Sequence, residues 1–291
     1  MKLMVFEKGD DTALGVVDGE DLIDLSRLDA GLPADVGALA AGGDAAMERV
    51  RSALAGDTAS ARLPLAEARP ALPVPAPGKF ICMGLNFADH AKEGGHDVPD
   101  YPALFMRART SLVAAKVPVI RPCCSEQLDY EAELVIVIGK TARHVAEDRA
   151  LEHVFGYTLF NDVSVRDYQR KGAQWTAGKN FDGTGPLGPV VVTADALPPG
   201  ASGLRIQSRL NGQVMQDSNT ANMIFSTART IVILSEFMTL EPGDLVALGT
   251  PEGVGHARRP PVWMKAGDIV EVEVDGVGVL RNPIVDEDAA A

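Results

Sequence analysis

The chain has 291 residues, 46% of them hydrophobic and 23% charged, with 27 Lys plus Arg against 40 Asp plus Glu and a formal charge of −13. That length supports one or two domains with a full core. The acidic balance repels phosphate backbones and argues against a nucleic-acid partner, and the longest unbroken apolar stretch, residues 134–138, is far short of the roughly 20 residues that a membrane span needs.

Residues 2–6 and 13–17 are strand-like runs separated by Gly9-Asp10-Asp11, and Asp18-Gly19 turns the chain into a third run at 21–25. Residues 34–68 shift to Ala, Glu, Asp and Arg, a composition for short helices. From Arg69 to Gly78 five of ten residues are Pro or Gly, which marks a boundary between a small N-terminal domain, 1–73, and a main domain, 74–286. In the main domain residues 80–83, 130–138, 155–161, 190–193, 245–248, 269–274 and 277–280 read as strands, the last two joined at Asp275-Gly276. Helical patterns are fewer, at 146–154 and 227–238, and residues 287–291 read as a disordered tail. The class is therefore α+β and β-rich, and not a doubly wound sheet. Cys82, Cys123 and Cys124, an odd number with an adjacent pair, form no disulfide framework and suit a reducing cytoplasm; Cys123-Cys124 lacks zinc spacing and reads as half-buried packing.

Three stretches carry chemistry. In Asp129-Tyr130-Glu131-Ala132-Glu133 the two glutamates share a strand face and lead into an apolar run that reads as buried on both sides. Buried carboxylates need a cation or donors, or they protonate; the alternative is a solvated strand end paired with Arg or Lys. Asp162, at the end of the 155–161 strand, is placed to complete an oxygen-ligand set with Glu131 and Glu133 that would suit Mg²⁺ or Mn²⁺. Arg166 and Gln169, three apart, share a face if a helical turn starts there, and suit a carboxylate-bearing ligand. In Asn86-Phe87-Ala88-Asp89-His90-Ala91-Lys92-Glu93, a short helix brings His90 to Glu93, a pairing that makes imidazole a general base; a plain surface histidine is the alternative. Gly94-Gly95 and the polar stretch to Asp100 would let this segment move as a lid. Lys179, in a loop, could steady an anion or be merely solvated, and Thr250, in a Gly-rich loop, could hold a carboxylate. Gly183-Thr184-Gly185-Pro186-Leu187-Gly188 matches a dinucleotide pattern but precedes a strand instead of opening a helix, so it is discounted.

Taken together, Gly84-Leu85-Asn86-Phe87, Asp129-Tyr130-Glu131-Ala132-Glu133-Leu134, Asn161-Asp162-Val163-Ser164-Val165-Arg166-Asp167, Gly185-Pro186-Leu187-Gly188-Pro189, Asn211-Gly212-Gln213 and Gly249-Thr250-Pro251 form an ordered set, from about residue 79 to 285, that resembles the fumarylacetoacetate hydrolase family. The resemblance implies a mixed β-roll or β-sandwich catalytic domain with a few covering helices, a small N-terminal α/β domain, and a homodimer. It implies Mg²⁺ or Mn²⁺, with Ca²⁺ as a variant, held by Glu131, Glu133 and Asp162. His90, Glu93 and Lys179 fall on catalytic positions, and Arg166, Gln169 and Thr250 on substrate-binding ones. The activity implied is C–C hydrolysis of a 2,4-dioxo acid of the acylpyruvate or fumarylpyruvate type, through activated water and a stabilised enolate. Decarboxylation or keto–enol isomerisation of 2-oxo or 2-hydroxy-diene dicarboxylates, oxaloacetate included, is the alternative, and a non-catalytic metal-binding homologue a further one.

Overall fold

The computed structural model describes residues 1–93 and 97–288. Sheet dominates it. An eleven-stranded mixed sheet runs in the spatial order Arg62–Pro64, Asp21–Asp24, Asp11–Asp18, Lys2–Lys8, Gly185–Thr193, Val154–Asn161, Ala132–Ile138, Leu245–Ala247, Phe80–Gly84 and Ala103–Met106, with Leu112–Ala114 joining Gly185–Thr193 from the side. A five-stranded sheet carries Gln213–Asn219, Arg205–Leu210, Ile269–Val274, Gly278–Asp286 and Val119–Arg121. The architecture is thus the expected sheet-rich α+β class with few helices.

Ala132–Ile138 sits near the middle of the large sheet, and every residue in it is buried. Its alternate side chains enter two different cores. Leu134, Ile136 and Ile138 pack with Ile206, Val272 and Val274 of the second sheet and with Ile231 and Leu234 of the helix Thr227–Phe237. Val135 and Val137 pack on the other side with Val36, Leu39 and Val50 from the helices Val36–Ala41 and Gly43–Leu54. An apolar run without alternation is what a strand covered on both faces requires.

Lys2 and Leu3 pair with Val192 and Val191, so the N-terminal strands and the strands after the Pro-rich stretch share one sheet. Residues 69–78 run alongside it, with Glu7 N donating to Arg69 O and Ala71 N to Val5 O.

Several elements differ from the sequence expectation. The 130–138 strand starts at Ala132, because Glu131 N donates to the Asn161 side chain and Asp162 N donates to Glu131 O; these bonds open the ladder where the acids lie. The helix expected at 146–154 is a 3-10 helix over Glu147–His153. The discounted glycine pattern is the start of the long strand Gly185–Thr193. The hairpin Arg205–Leu210 with Gln213–Asn219 escaped the strand reading, although Asn211-Gly212 is a turn signature; both turn residues have positive φ. Cys123 and Cys124 are exposed, not half-buried, because they sit in the turn after Val119–Arg121. Glu287 is tied down by Arg121 O and Cys123 N, while residues 289–291 of the expected tail lie outside the described residues. No described helix is long and apolar enough to cross a membrane.

Because Ile136 joins both sheets and the Thr227–Phe237 helix in one core, Ile136→Ala is expected to cost about 2–5 kcal/mol of unfolding free energy, measured by denaturant titration.

Candidate active site

One cavity of about 430 Å³ is lined by His90, Glu131, Glu133, Asp162, Arg166, Gln169, Lys179 and Thr250. Residues scattered over 160 positions of sequence thus meet at one place, and the reason lies in how each element ends there. Ala132–Ile138 and Val154–Asn161 are antiparallel neighbours with Ala132 opposite Asn161, so the residues just before one strand face those just after the other. Glu131, Glu133 and Asp162 consequently offer carboxylate oxygens all within 4.8 Å of one another, and all three are buried.

Such a cluster cannot stand without positive charge. Lys179 supplies part of it: its Nζ donates to Glu131 Oε2 at 2.7 Å and to Asp162 Oδ2 at 2.5 Å. Its sequence context reads as a loop. It ends the short helix Thr176–Lys179 and is buried, because Gly178 lets that helix sit on the backbone of Gln169; a Cβ there would lie 2.5 Å from Gln169 N and Cα. Arg166 supplies a second charge. It opens the turn Arg166–Gln169, its Nη2 lies 2.6 Å from Glu131 Oε1, and its Nη1 donates to Gln169 Oε1 at 3.0 Å. Arg107 supplies the third, donating to Asp162 Oδ1 at 3.0 Å and to Val163 O.

Burial opposes the charged form of Glu131, but Arg166 and Lys179 outweigh it and hold its carboxyl well below the ordinary range. Glu133 is the opposite case. Burial, then the charges of Asp162 and Glu131, push it well above the ordinary range, and among the described residues its carboxylate accepts one hydrogen bond, from Gly249 N. Asp162 is also raised, chiefly by burial, with Lys179 and Arg107 pulling back. Lys179 is raised, since its two acidic partners outweigh the cost of its burial. A surplus of oxygen ligands with one acid holding a proton is a donor set that fits a hard divalent ion: Glu131, Glu133 and Asp162 could hold Mg²⁺, Mn²⁺ or Ca²⁺ through oxygen alone.

His90 stands on the helix Ala88–Glu93 with its Nδ1 3.5 Å from Glu93 Oε2, too long and poorly aligned to be a hydrogen bond. Glu93 accepts from Gly253 N with both oxygens and does not line the cavity. Asn86 anchors this segment: its side chain donates to Phe225 O and Leu248 O and accepts from Phe225 N. Of the expected lid, residues 94–96 lie outside the described residues. Thr250 Oγ1 accepts from Gln216 Nε2 at 2.8 Å, which leaves its own hydroxyl hydrogen for a ligand.

Sequence reasoning missed several contributors. Arg107 carries no signal; in Met106-Arg107-Ala108-Arg109 it looks like any surface arginine. Asn180 braces both buried cations at once, gripping Ala108 N and Met106 O on either side of Arg107 while following Lys179. Gln216 ties the second sheet to the site by accepting from Ala132 N and donating to Pro251 O. Asp129 was legible in principle: period-two alternation puts it on the face of Glu131 and Glu133. It is fully buried and accepts from Arg166 Nε at 2.8 Å. His256, beside it, also lines the cavity.

The family model described as fumarylacetoacetate (FAA) hydrolase C-terminal matches residues 79–285. A mitochondrial oxaloacetate tautomerase of Xenopus laevis is 40% identical over 291 residues, 98% of this chain and 90% of its own. The solved structure of a fumarylacetoacetate hydrolase from Exiguobacterium antarcticum superposes with a TM-score of 0.84 at 33% identity, covering 99% of this chain and 100% of that one. Maleylpyruvate hydrolase from Sphingobium sp. SYK-6, in complex with manganese (II) ion and pyruvate, gives a TM-score of 0.82 at 32% identity with the same coverage.

The raised Glu133 carboxyl sets a pH dependence. Without an ion, the folded protein keeps a proton that the unfolded chain releases, so this group's stabilisation is full below the ordinary glutamate value and is lost as pH rises through the raised one. An incoming cation displaces the same proton. Calorimetric titration with Mn²⁺ in buffers of different ionisation enthalpy is therefore expected to show affinity rising with pH and proton release on binding.

Proposed function

The chain belongs to the fumarylacetoacetate hydrolase family, and from that premise we propose that it is a divalent-metal-dependent enzyme that enolises a small 2-oxo acid, with keto–enol interconversion of an oxaloacetate-like substrate as its reaction. The observation that carries this is the buried Glu131–Glu133–Asp162 cluster beside His90 in one cavity. A divalent ion held by those three acids supplies Lewis acidity toward the oxo group and the neighbouring carboxylate of such a substrate.

The chain's own residues do the rest. Arg166 and Gln169 are paired on one turn, and a guanidinium beside an amide binds and orients the substrate carboxylate. The Thr250 hydroxyl donates a further hydrogen bond. His90 takes a proton from the carbon next to the oxo group, with the Glu93 carboxylate 3.5 Å from Nδ1 stabilising the imidazolium that results. Lys179, buried between Glu131 and Asp162, keeps its positive charge and stabilises enolate oxygen as it develops, while the proton taken up by His90 returns through solvent to that oxygen.

A second reading, C–C hydrolysis of a 2,4-dioxo acid, is favoured by the same His90–Glu93 arrangement, since an imidazole backed by a carboxylate activates water as well as it accepts a carbon-bound proton. The maleylpyruvate hydrolase relative supports it, and the tautomerase relative supports the first. Three free cysteines suit a reducing compartment.

The test is a panel of oxaloacetate, acylpyruvates and fumarylpyruvate with Mg²⁺ or Mn²⁺, with products identified by mass and C3 exchange followed by NMR. Proton exchange at C3 of oxaloacetate that stops with chelator is the expected result; full activity in chelated protein removes the metal from the mechanism. Glu133→Gln is the clean variant. Among the described residues Glu133 forms no ion pair, so the fold and melting temperature should hold while metal-dependent turnover falls at least 100-fold, roughly what loss of an electrostatic stabiliser costs. His90→Ala is expected to abolish C3 exchange and hydrolysis together if one base serves both, and equal residual activity to wild type would exclude it as that base.

A further inference from the structure

We propose that Gln216 is a positioning residue: it fixes the Thr250 hydroxyl as a hydrogen-bond donor into the cavity and so selects a ligand that presents an acceptor oxygen there, such as a carboxylate. This rests on the reading of the cavity as the seat of an oxo-acid head group. Gln216 does not line the cavity. It stands on Gln213–Asn219, the edge strand of the five-stranded sheet, whereas the strands that bring the acids together belong to the other sheet.

A bulge aims it. Ser208 pairs with Gln216 but Arg209 with Val214, so Met215 is an extra residue in the edge strand. Met215 and Gln216 are consecutive and both buried, which the period of two in a regular strand with one exposed face does not allow. Met215 enters a core with Leu210 and Val270, and Gln216 reaches the backbone of Ala132. The loop that carries Thr250 docks on the same bulge: Arg258 donates to Met215 O, and at Gly253 a Cβ would lie 2.3 Å from that oxygen.

The four hydrogen bonds of the Gln216 amide admit one orientation. Oε1 accepts from Ala132 N at 3.0 Å and from Ser208 Oγ at 2.8 Å, and Nε2 donates to Pro251 O at 2.7 Å and to Thr250 Oγ1 at 2.8 Å. Ala132 N can only donate and Pro251 O can only accept, so the amide cannot turn over. Thr250 Oγ1 therefore receives an N–H, and among the described residues it makes no second hydrogen bond. Thr250 lines the cavity, so a ligand meets its hydroxyl hydrogen. Ala132 lies between Glu131 and Glu133; one amide thus ties the donor to the strand that carries two of the acids.

The experiment separates this role from that of a brace between sheets. Gln216→Glu keeps an acceptor for Ala132 N and Ser208 Oγ and removes the donor. Ionised, the acid has no hydrogen to give; protonated, its single hydrogen goes to Pro251 O. In both states Thr250 loses the N–H, and its hydroxyl turns to donate to the acid. Gln216→Met, which removes the donor without adding a charge, is the second variant and carries the test if the first does not fold. Oxalate binding to Mn²⁺-loaded protein is measured by calorimetry for wild type, Thr250→Val, each Gln216 variant, and each combined with Thr250→Val. Each single substitution is expected to weaken oxalate about tenfold or more, the worth of one hydrogen bond to a charged oxygen, with Mn²⁺ affinity kept. In the Thr250→Val background the Gln216 change should cost less than about threefold, because the two side chains act as one unit. Equal losses in both backgrounds, no loss from either Gln216 variant, or a fall in Mn²⁺ affinity in place of oxalate affinity overturns the proposal. In C3 exchange of oxaloacetate the substitution raises KM more than it lowers kcat. Coupled losses of oxalate binding with no exchange by wild type uphold Gln216 and count against enolisation alone.

Discussion

The structure depends on compensation of charge in a place that water does not reach. Asp129, Glu131, Glu133 and Asp162 are buried, and Arg107, Arg166 and Lys179 are buried against them. Four acids face three fixed cations, and the acid left over is Glu133. A proton on Glu133 neutralises the cluster. A divalent ion in place of that proton leaves it one charge positive, which is the state in which an anionic head group completes the balance. The same arithmetic that favours a proton on the cluster in the absence of an ion would make the ion-bound cluster attract a carboxylate. Removing one fixed cation would leave a buried charge unpaired, a change worth about 3–5 kcal/mol, so these pairs are as much a matter of folding as of chemistry.

Holding seven charged groups in register requires rigid support, and the two sheets supply it. The acids lie where two neighbouring strands stop pairing with each other, just beyond a stretch packed on both faces. Polar side chains then cross between layers. Gln216 reaches from the second sheet to the backbone of Ala132 and to the Thr250 loop. Asn86 locks the segment that carries His90. Asn180 braces the two cations that enter from either side of Asp162. Gly249, with φ of +85°, turns its N–H onto Glu133 where a side chain would collide with Asn86. Each of these bonds is modest alone, on the order of 1 kcal/mol; together they set the positions on which chemistry depends.

The contact between His90 and Glu93 is looser than those among the acids and their cations. Its 3.5 Å separation contrasts with the contacts of 2.5–3.0 Å around Asp162. The base proposed at His90, which has to meet substrate and let product leave, is served by a pairing less fixed than the acid cluster beneath it. This division puts permanence in the charge cluster and adjustment in the helix above it.

Much of this was legible in the chain. The alternation in Asp129-Tyr130-Glu131-Ala132-Glu133 and the apolar run after it told that two carboxylates lead a doubly covered strand, because side-chain direction in a strand follows from period two alone. The Arg166–Gln169 spacing told of one helical turn for the same kind of reason. What the tertiary structure alone decided was which charges meet. Nothing local distinguishes Arg107 from any solvated arginine or Lys179 from a loop lysine. Their roles follow from strand order and from which loops converge at one end of the sheet. Local pattern reports a residue's face and period; burial and partnership arise from contacts between segments far apart in the chain, and only the folded arrangement contains them.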